Sequence, residues 1–132
     1  MKARVAVLAL LLGCVAVPAV ATETAVCTNG DSASISVLLG SAEVIAPVRV
    51  EVSVDEKNWS TDPNAASSHL VKIGQAFEGD NQMLLDLTDA TVGNVIIKLR
   101  LFEADETNSG VVGGGTLWVK GSGVYAVTCT GL

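Results

Sequence analysis

Val48-Arg49-Val50-Glu51-Val52-Ser53-Val54 decides how this chain folds. Valine recurs at every second position, and Arg49, Glu51 and Ser53 fill the gaps. Successive side chains of an extended chain point to opposite faces. The stretch is therefore read as a strand with one dry face and one wet face.

The same period recurs along the chain. Val95, Ile97, Leu99 and Leu101 enclose Lys98 and Arg100; Ile35, Val37 and Leu39 alternate with Ser34 and Ser36. Met83, Leu85 and Leu87 follow suit, as do Leu117 with Val119, and Tyr125 with Val127 and Cys129. Val71, Ile73 and Phe77 are assigned to one face of a further strand. β-Branched residues are plentiful, and no segment after the N-terminal region keeps apolar residues at three-four spacing for three turns. Gly40-Ser41, Glu78-Gly79-Asp80-Asn81 and Gly121-Ser122-Gly123 supply turn chemistry between these runs.

One-sided antiparallel strands need a second layer over their dry face. The expected fold is all-β: a single antiparallel β-sandwich, immunoglobulin-like or Greek-key, of seven to eight strands. On the wet faces, Glu51 is expected to pair with Lys98 or Arg100 if their strands are neighbours. Gly113-Gly114-Gly115-Thr116 lacks the lysine and spacing of a phosphate loop. It reads as a bulge or close backbone approach inside a strand.

The first residues have a different character. A basic start at Lys2 and Arg4 precedes the uncharged run Val5–Ala21, which Pro18 breaks and Ala19-Val20-Ala21 closes. This is the pattern of a secretory signal peptide over residues 1–21, leaving a domain at 22–132. The run is shorter than the ~20 uninterrupted apolar residues of a membrane span. Leu11-Leu12-Gly13-Cys14 also resembles a bacterial lipobox, which would make Cys14 an acylated N-terminus; the apolar run continues past it, unlike that pattern. Periplasmic or secreted localisation is expected.

Two cysteines then remain, Cys27 and Cys129, at the two ends of the foldable chain. In an exported protein they are expected to pair. Closing so long a loop contributes at most about 4.7 kcal/mol. There is no CxxC and only one histidine, so zinc lacks partners.

Without Lys2 and Arg4, six basic residues face fourteen acidic ones, a formal charge of −8. The six are scattered, which argues against nucleic acid and anionic membrane surfaces. The acidity favours a soluble monomer.

Two segments gather acid: 55–64, with Asp55, Glu56 and Asp62, and 103–108, with Glu103, Asp105, Glu106 and Asn108. Each follows one of the strongest strands. If those strands run the same way, the loops converge, and Asp55, Asp62, Glu103 and Asp105 are candidate ligands for calcium, which takes six to eight oxygens. Asp62-Pro63 and Leu101–Glu106 followed by Val111-Val112-Gly113 resemble the calcium loops of the phospholipid-binding sandwich domains of protein kinase C and synaptotagmin. The resemblance covers some twenty residues and implies a calcium-dependent binding domain. The chain departs from that pattern where Glu106 directly follows Asp105 and where no later aspartate precedes Val111.

Catalysis has little support. His69 is the lone histidine, beside Ser67 and Ser68, and no serine sits in a G-x-S-x-G elbow. It reads as a surface or capping residue. Trp59, in the polar stretch 57–60, is a candidate binding residue or a plug over the end of the fold. Trp118 alternates with Leu117 and Val119 and so faces away from the core. It is either a contact residue or a cover over a sheet edge or Lys120. The expected function is a non-enzymatic binding or structural module whose partner is a protein or small ligand. A calcium-dependent binding domain comes next, and a secreted hydrolase third.

Overall fold

The computed structural model describes residues 22–40, 45–106 and 110–132. The expected signal segment 1–21, with Cys14, and Asn108 lie outside them. The described residues form nine strands and no helix: β1 Glu23–Thr28, β2 Ala33–Leu39, β3 Pro47–Val54, β4 Lys57–Ser60, β5 His69–Gly79, β6 Gln82–Asp89, β7 Val95–Glu106, β8 Gly110–Val119 and β9 Gly123–Thr130.

They close into one barrel in chain order rather than two stacked sheets. Alternation correctly marks a dry face. It does not distinguish a second sheet from the same sheet curled round to cover itself. Curling also removes the free edges that a sandwich leaves. β1 and β4 are the strands absent from the alternation pattern. Lys57–Ser60 reads as loop because it is polar, yet Asp55 in the left-handed region (φ 52°) turns β3 straight back into it, setting Trp59 opposite Val52.

The barrel is filled by most of the predicted inward set, but Val48 and Val95, read as inward, are exposed. Ile35, Val37, Val50, Val52, Val54, Met83, Leu85, Leu87, Ile97, Leu99, Leu101, Leu117, Val119 and Val127 are all buried. The outer wall carries Glu51, Lys98 and Arg100. The outside also exposes apolar side chains, among them Phe77, Phe102, Val112 and Val124. No helix among the described residues is long and apolar enough to cross one.

Neighbouring strands are antiparallel except β4 and β5, which are parallel. The wall has two thin seams. β1 meets β9 only at Val26–Thr130, Cys27–Cys129 and Thr28–Thr128, and there the Cys27–Cys129 disulfide joins the strands. β4 meets β5 only at Trp59–His69 and Ser60–Leu70.

Alternation is broken at register shifts between Leu38 and Leu39, opposite Val48, and between Leu87 and Thr88, opposite Val95, and two further details depart from simple expectation. The β5–β6 register shifts between Ile73 and Gln75. The skipped Gly74 reverses the phase, so Phe77 turns outward and is half exposed instead of sharing the face of Val71. The glycines of β8 stay in register with β7. A side chain at Gly115 would overlap the Arg100 carbonyl oxygen, so the close backbone approach read from the glycine run is present.

Candidate functional site

β2, β3 and β4 present their wet faces side by side. Ser34 lies opposite Ser53, and Ser53 opposite Asn58; Ser36 lies opposite Glu51, and Glu51 opposite Ser60. These side chains are short apart from Glu51, so the wall here is thin and polar.

The chain then crosses this wall. A parallel β4–β5 pair requires residues 61–68 to travel back along the barrel before β5 begins. Thr61 continues the pairing with Val50, its N–H donating to the Val50 carbonyl (3.0 Å) while its hydroxyl accepts from the Val50 N–H (3.0 Å). Asp62 pins the turn: its carboxylate lies 3.3 Å from Arg49 and accepts the Asn64 N–H (2.9 Å). The Asp62 N–H donates to the Ser60 hydroxyl (3.0 Å), and Ser60, outward by register, is buried beneath the crossover.

Between crossover and wall lies an open groove of about 390 Å³. Ser34, Ser36, Glu51, Ser53 and Asn58 line its strand side, and Ala65, Ala66 and Ser68 the other. Two smaller hollows adjoin it. One shares Ser36 and Glu51 and adds Thr24, Leu38 and Arg49; the other surrounds Arg49, Asp62 and Asn64. Hydroxyls, an amide and one carboxylate converge here. The arrangement suits hydrogen bonding.

The predicted site residues are scattered. Trp59 is 9% exposed and belongs to the core, its ring 6.0 Å from that of His69. It stands on strand β4 opposite Val52 rather than in a loop, and it also lines the groove floor. His69 is exposed at the start of β5. Trp118 does face outward, half-buried, with the Lys98 ammonium 5.3 Å from its ring centre. It packs on the neighbouring strand's lysine rather than on Lys120. Glu51 does not meet Lys98 or Arg100; Arg100 instead pairs with Asp86, 2.6 Å away.

The two acidic segments do not converge. From β3 to β7 the pairing is antiparallel, parallel, antiparallel, antiparallel, so the two strands run in opposite senses. Asp55 sits in the turn at one end, whereas Glu103 and Asp105 lie within β7 toward the other. Among the described residues no three His, Cys, Asp or Glu side chains are gathered to hold a metal. Burial, and secondarily the nearby Glu78 carboxylate, raise the Glu103 carboxyl above its ordinary value.

The sequence pattern shows Ser34, Ser36, Glu51 and Ser53 only as a wet face. What turns that face into a groove is the crossover Ala65–Ser68, and no periodicity predicts where a loop lies down. The available signal was the run of small residues in adjoining alternating strands, which leaves room above the wall. Scans of protein-family models, of curated proteins and of solved structures find no match to this chain.

Proposed function

We propose that the chain is an exported, non-enzymatic binding module whose ligand site is the outer-wall groove between β2–β4 and the 61–68 crossover. The observation that carries this reading is the groove itself: a preformed hollow of about 390 Å³ whose polar groups, Ser34, Ser36, Ser53, Ser68, Asn58 and Glu51, are set among apolar Val26, Trp59, Ala65 and Ala66. Its size falls in the small-molecule range of roughly 300–1,000 Å³. Its lining selects a polar ligand with its own donors, neutral or cationic, because Glu51 is the sole charge in the groove lining. Export agrees with the Cys27–Cys129 disulfide, which is compatible with an oxidising compartment.

The test is a titration of the isotope-labelled domain with mono- and disaccharides, amino acids and polyamines, followed by amide chemical shifts. A ligand of this site shifts Ser34, Ser36, Ser53 and Ala65–Ser68 together, and Ser36→Leu weakens it without lowering the melting temperature. If every compound leaves those amides unmoved, or if Ser36→Leu binds as the parent does, the groove is not the ligand site.

A further inference from the structure

The groove continues past Glu51. By register, the outward residues of β1–β4 form cross-strand rows: Ser34–Ser53–Asn58, then Val26–Ser36–Glu51, then Thr24–Leu38–Arg49. The large hollow covers the first two rows. A second hollow of about 240 Å³ lies over the last two, and Ser36 and Glu51 line both. The two hollows make one trough along β3 from Ser53 to Arg49, roughly 13 Å long for four steps of a strand. Opposite charges flank its second half. Glu51 and Arg49 share the outer face of β3, two residues and about 7 Å apart. They do not neutralise each other. The Arg49 guanidinium turns to Asp62, 3.3 Å away, and among the described residues Glu51 has no ion-pair partner. One contact of that length leaves other guanidinium N–H donors free, and the Arg49 side chain is 53% exposed.

We propose, resting on the groove as the ligand site, that its ligand is a dipeptide with both ends free, its ammonium on Glu51 and its carboxylate on Arg49. The two charges select this class. A neutral molecule lying over the second hollow strips water from both side chains and returns nothing, which costs affinity. A ligand with one charge compensates one side chain and leaves the other bare. A zwitterion compensates both. Length narrows the choice further. Two extended residues span about 7 Å, the spacing of Glu51 and Arg49 along β3. A free amino acid holds its ammonium and carboxylate too close together to reach both, and a longer extended peptide holds them too far apart. Arginine takes a carboxylate through paired N–H donors, which suits the Arg49 end. At the Glu51 end the first side chain of the dipeptide lies toward the large hollow, where Val26, Trp59, Ala65 and Ala66 offer apolar surface.

Alanine, dialanine, tetra-alanine, N-acetyl-dialanine and dialanine amide, added to the saccharides and polyamines in the same amide-shift titration, test this. Dialanine binds tightest and shifts Thr24, Ser36, Leu38 and Glu51 together. Blocking either end raises Kd about tenfold or more, through loss of a charge-assisted hydrogen bond. That comparison uses the parent protein and needs no variant to fold. Arg49→Gln weakens dialanine to the level of its amide on the parent, and Glu51→Gln weakens it to the level of the N-acetyl form. Asp62→Asn frees the guanidinium and tightens dialanine several-fold; if the Arg49–Asp62 pair only holds the crossover in place, the same variant binds more weakly. Blocked dipeptides that bind as dialanine does, or a weaker Asp62→Asn variant, overturn the proposal and leave the groove standing as a site. Dialanine that moves none of these amides overturns it as well. In that case a saccharide or polyamine that shifts Ser34 and Ser53 keeps the groove, and a silent panel removes both readings.

Discussion

Cys27 and Cys129 lie directly opposite each other on β1 and β9, their Cα atoms 4.0 Å apart across 102 positions of sequence. The bond therefore sits on one of the barrel's thin seams and holds the first strand to the last. The unfolded chain loses most freedom when so long a loop is closed, with a ceiling of about 4.7 kcal/mol. Replacing both cysteines by alanine is expected to lower unfolding stability by about 2–4 kcal/mol. Urea denaturation of the parent and variant, each with and without reductant, measures it; reductant should move the parent to the variant's curve and leave the variant unchanged.

The second seam has no covalent bond, only a short parallel pairing and side-chain packing. Trp59 and His69 face each other where β4 briefly meets β5, and the indole is buried against the core. Trp59→Ala removes a large buried side chain, at a cost of about 3–5 kcal/mol. His69→Ala removes only an exposed ring contact, worth about 0.5–1.5 kcal/mol. Thermal unfolding of the two variants should rank them in that order. A Trp59→Ala variant as stable as the parent would show that this seam does not hold the wall.

Much of the barrel was legible from alternation, and the reasons for the misses are specific. Val50, Val52 and Val54 point inward as their spacing requires, and Trp118 points outward. The pairing of Cys27 with Cys129 followed from their position and the absence of other partners. Barrel closure was not legible, because the β1–β9 pairing involves residues a whole domain apart and leaves no local mark. Phe77 was misplaced because a glycine bulge changes phase without changing composition. The acidic segments were brought together on an assumption of parallel strand sense. Strand sense depends on which neighbours are joined by hairpins and which by the 61–68 crossover, a tertiary property. The groove was illegible for the same reason, since its lid is that crossover.

The β7–β8 spacing gives a sharper check on the fold. Gly115 faces the Arg100 backbone so closely that a methyl group there would overlap the carbonyl oxygen. Gly115→Ala must push the two strands apart, with an expected loss of about 1–3 kcal/mol. Gly121, in the β8–β9 turn at φ 78°, has open space where a Cβ would stand. Gly121→Ala meets only backbone strain, about 1–2 kcal/mol. Amide exchange distinguishes them: the first loosens the β7–β8 ladder at Arg100–Thr116, the second only the turn.

Val92 is a β-branched residue held at φ 62° in the turn between β6 and β7, and it is exposed. Left-handed backbone costs an ordinary L-residue about 1–2 kcal/mol, and asparagine much less. Val92→Asn is therefore expected to raise stability by about 1 kcal/mol. A lower melting temperature in that variant would mean that Val92 makes a contact outweighing its backbone.

The same turn sets an acid limb of stability, and Glu103 opposes it. Asp89 accepts hydrogen bonds from the Asn94 amide (3.0 Å), the Gly93 N–H (2.9 Å) and the Thr91 hydroxyl (2.8 Å), which together lower its carboxyl from 3.8 to about 2. The folded protein thus holds this proton less readily than the unfolded chain. The Asp89 contribution is complete above 3.8 and drains away as pH falls toward about 2. Glu103 shifts the other way, raised above 4.5 by burial and by Glu78. Its protonated form favours the fold, so that contribution is present below 4.5 and is lost as pH rises through the raised folded value. Asp89→Asn should accordingly lower the melting temperature at neutral pH, with the deficit shrinking as pH approaches 2. Glu103→Gln should raise the melting temperature at neutral pH, with the gain vanishing below pH 4.5. Melting curves of the three proteins across pH 2–8 read both windows at once. Parallel curves would show that neither carboxyl is shifted by the contacts described.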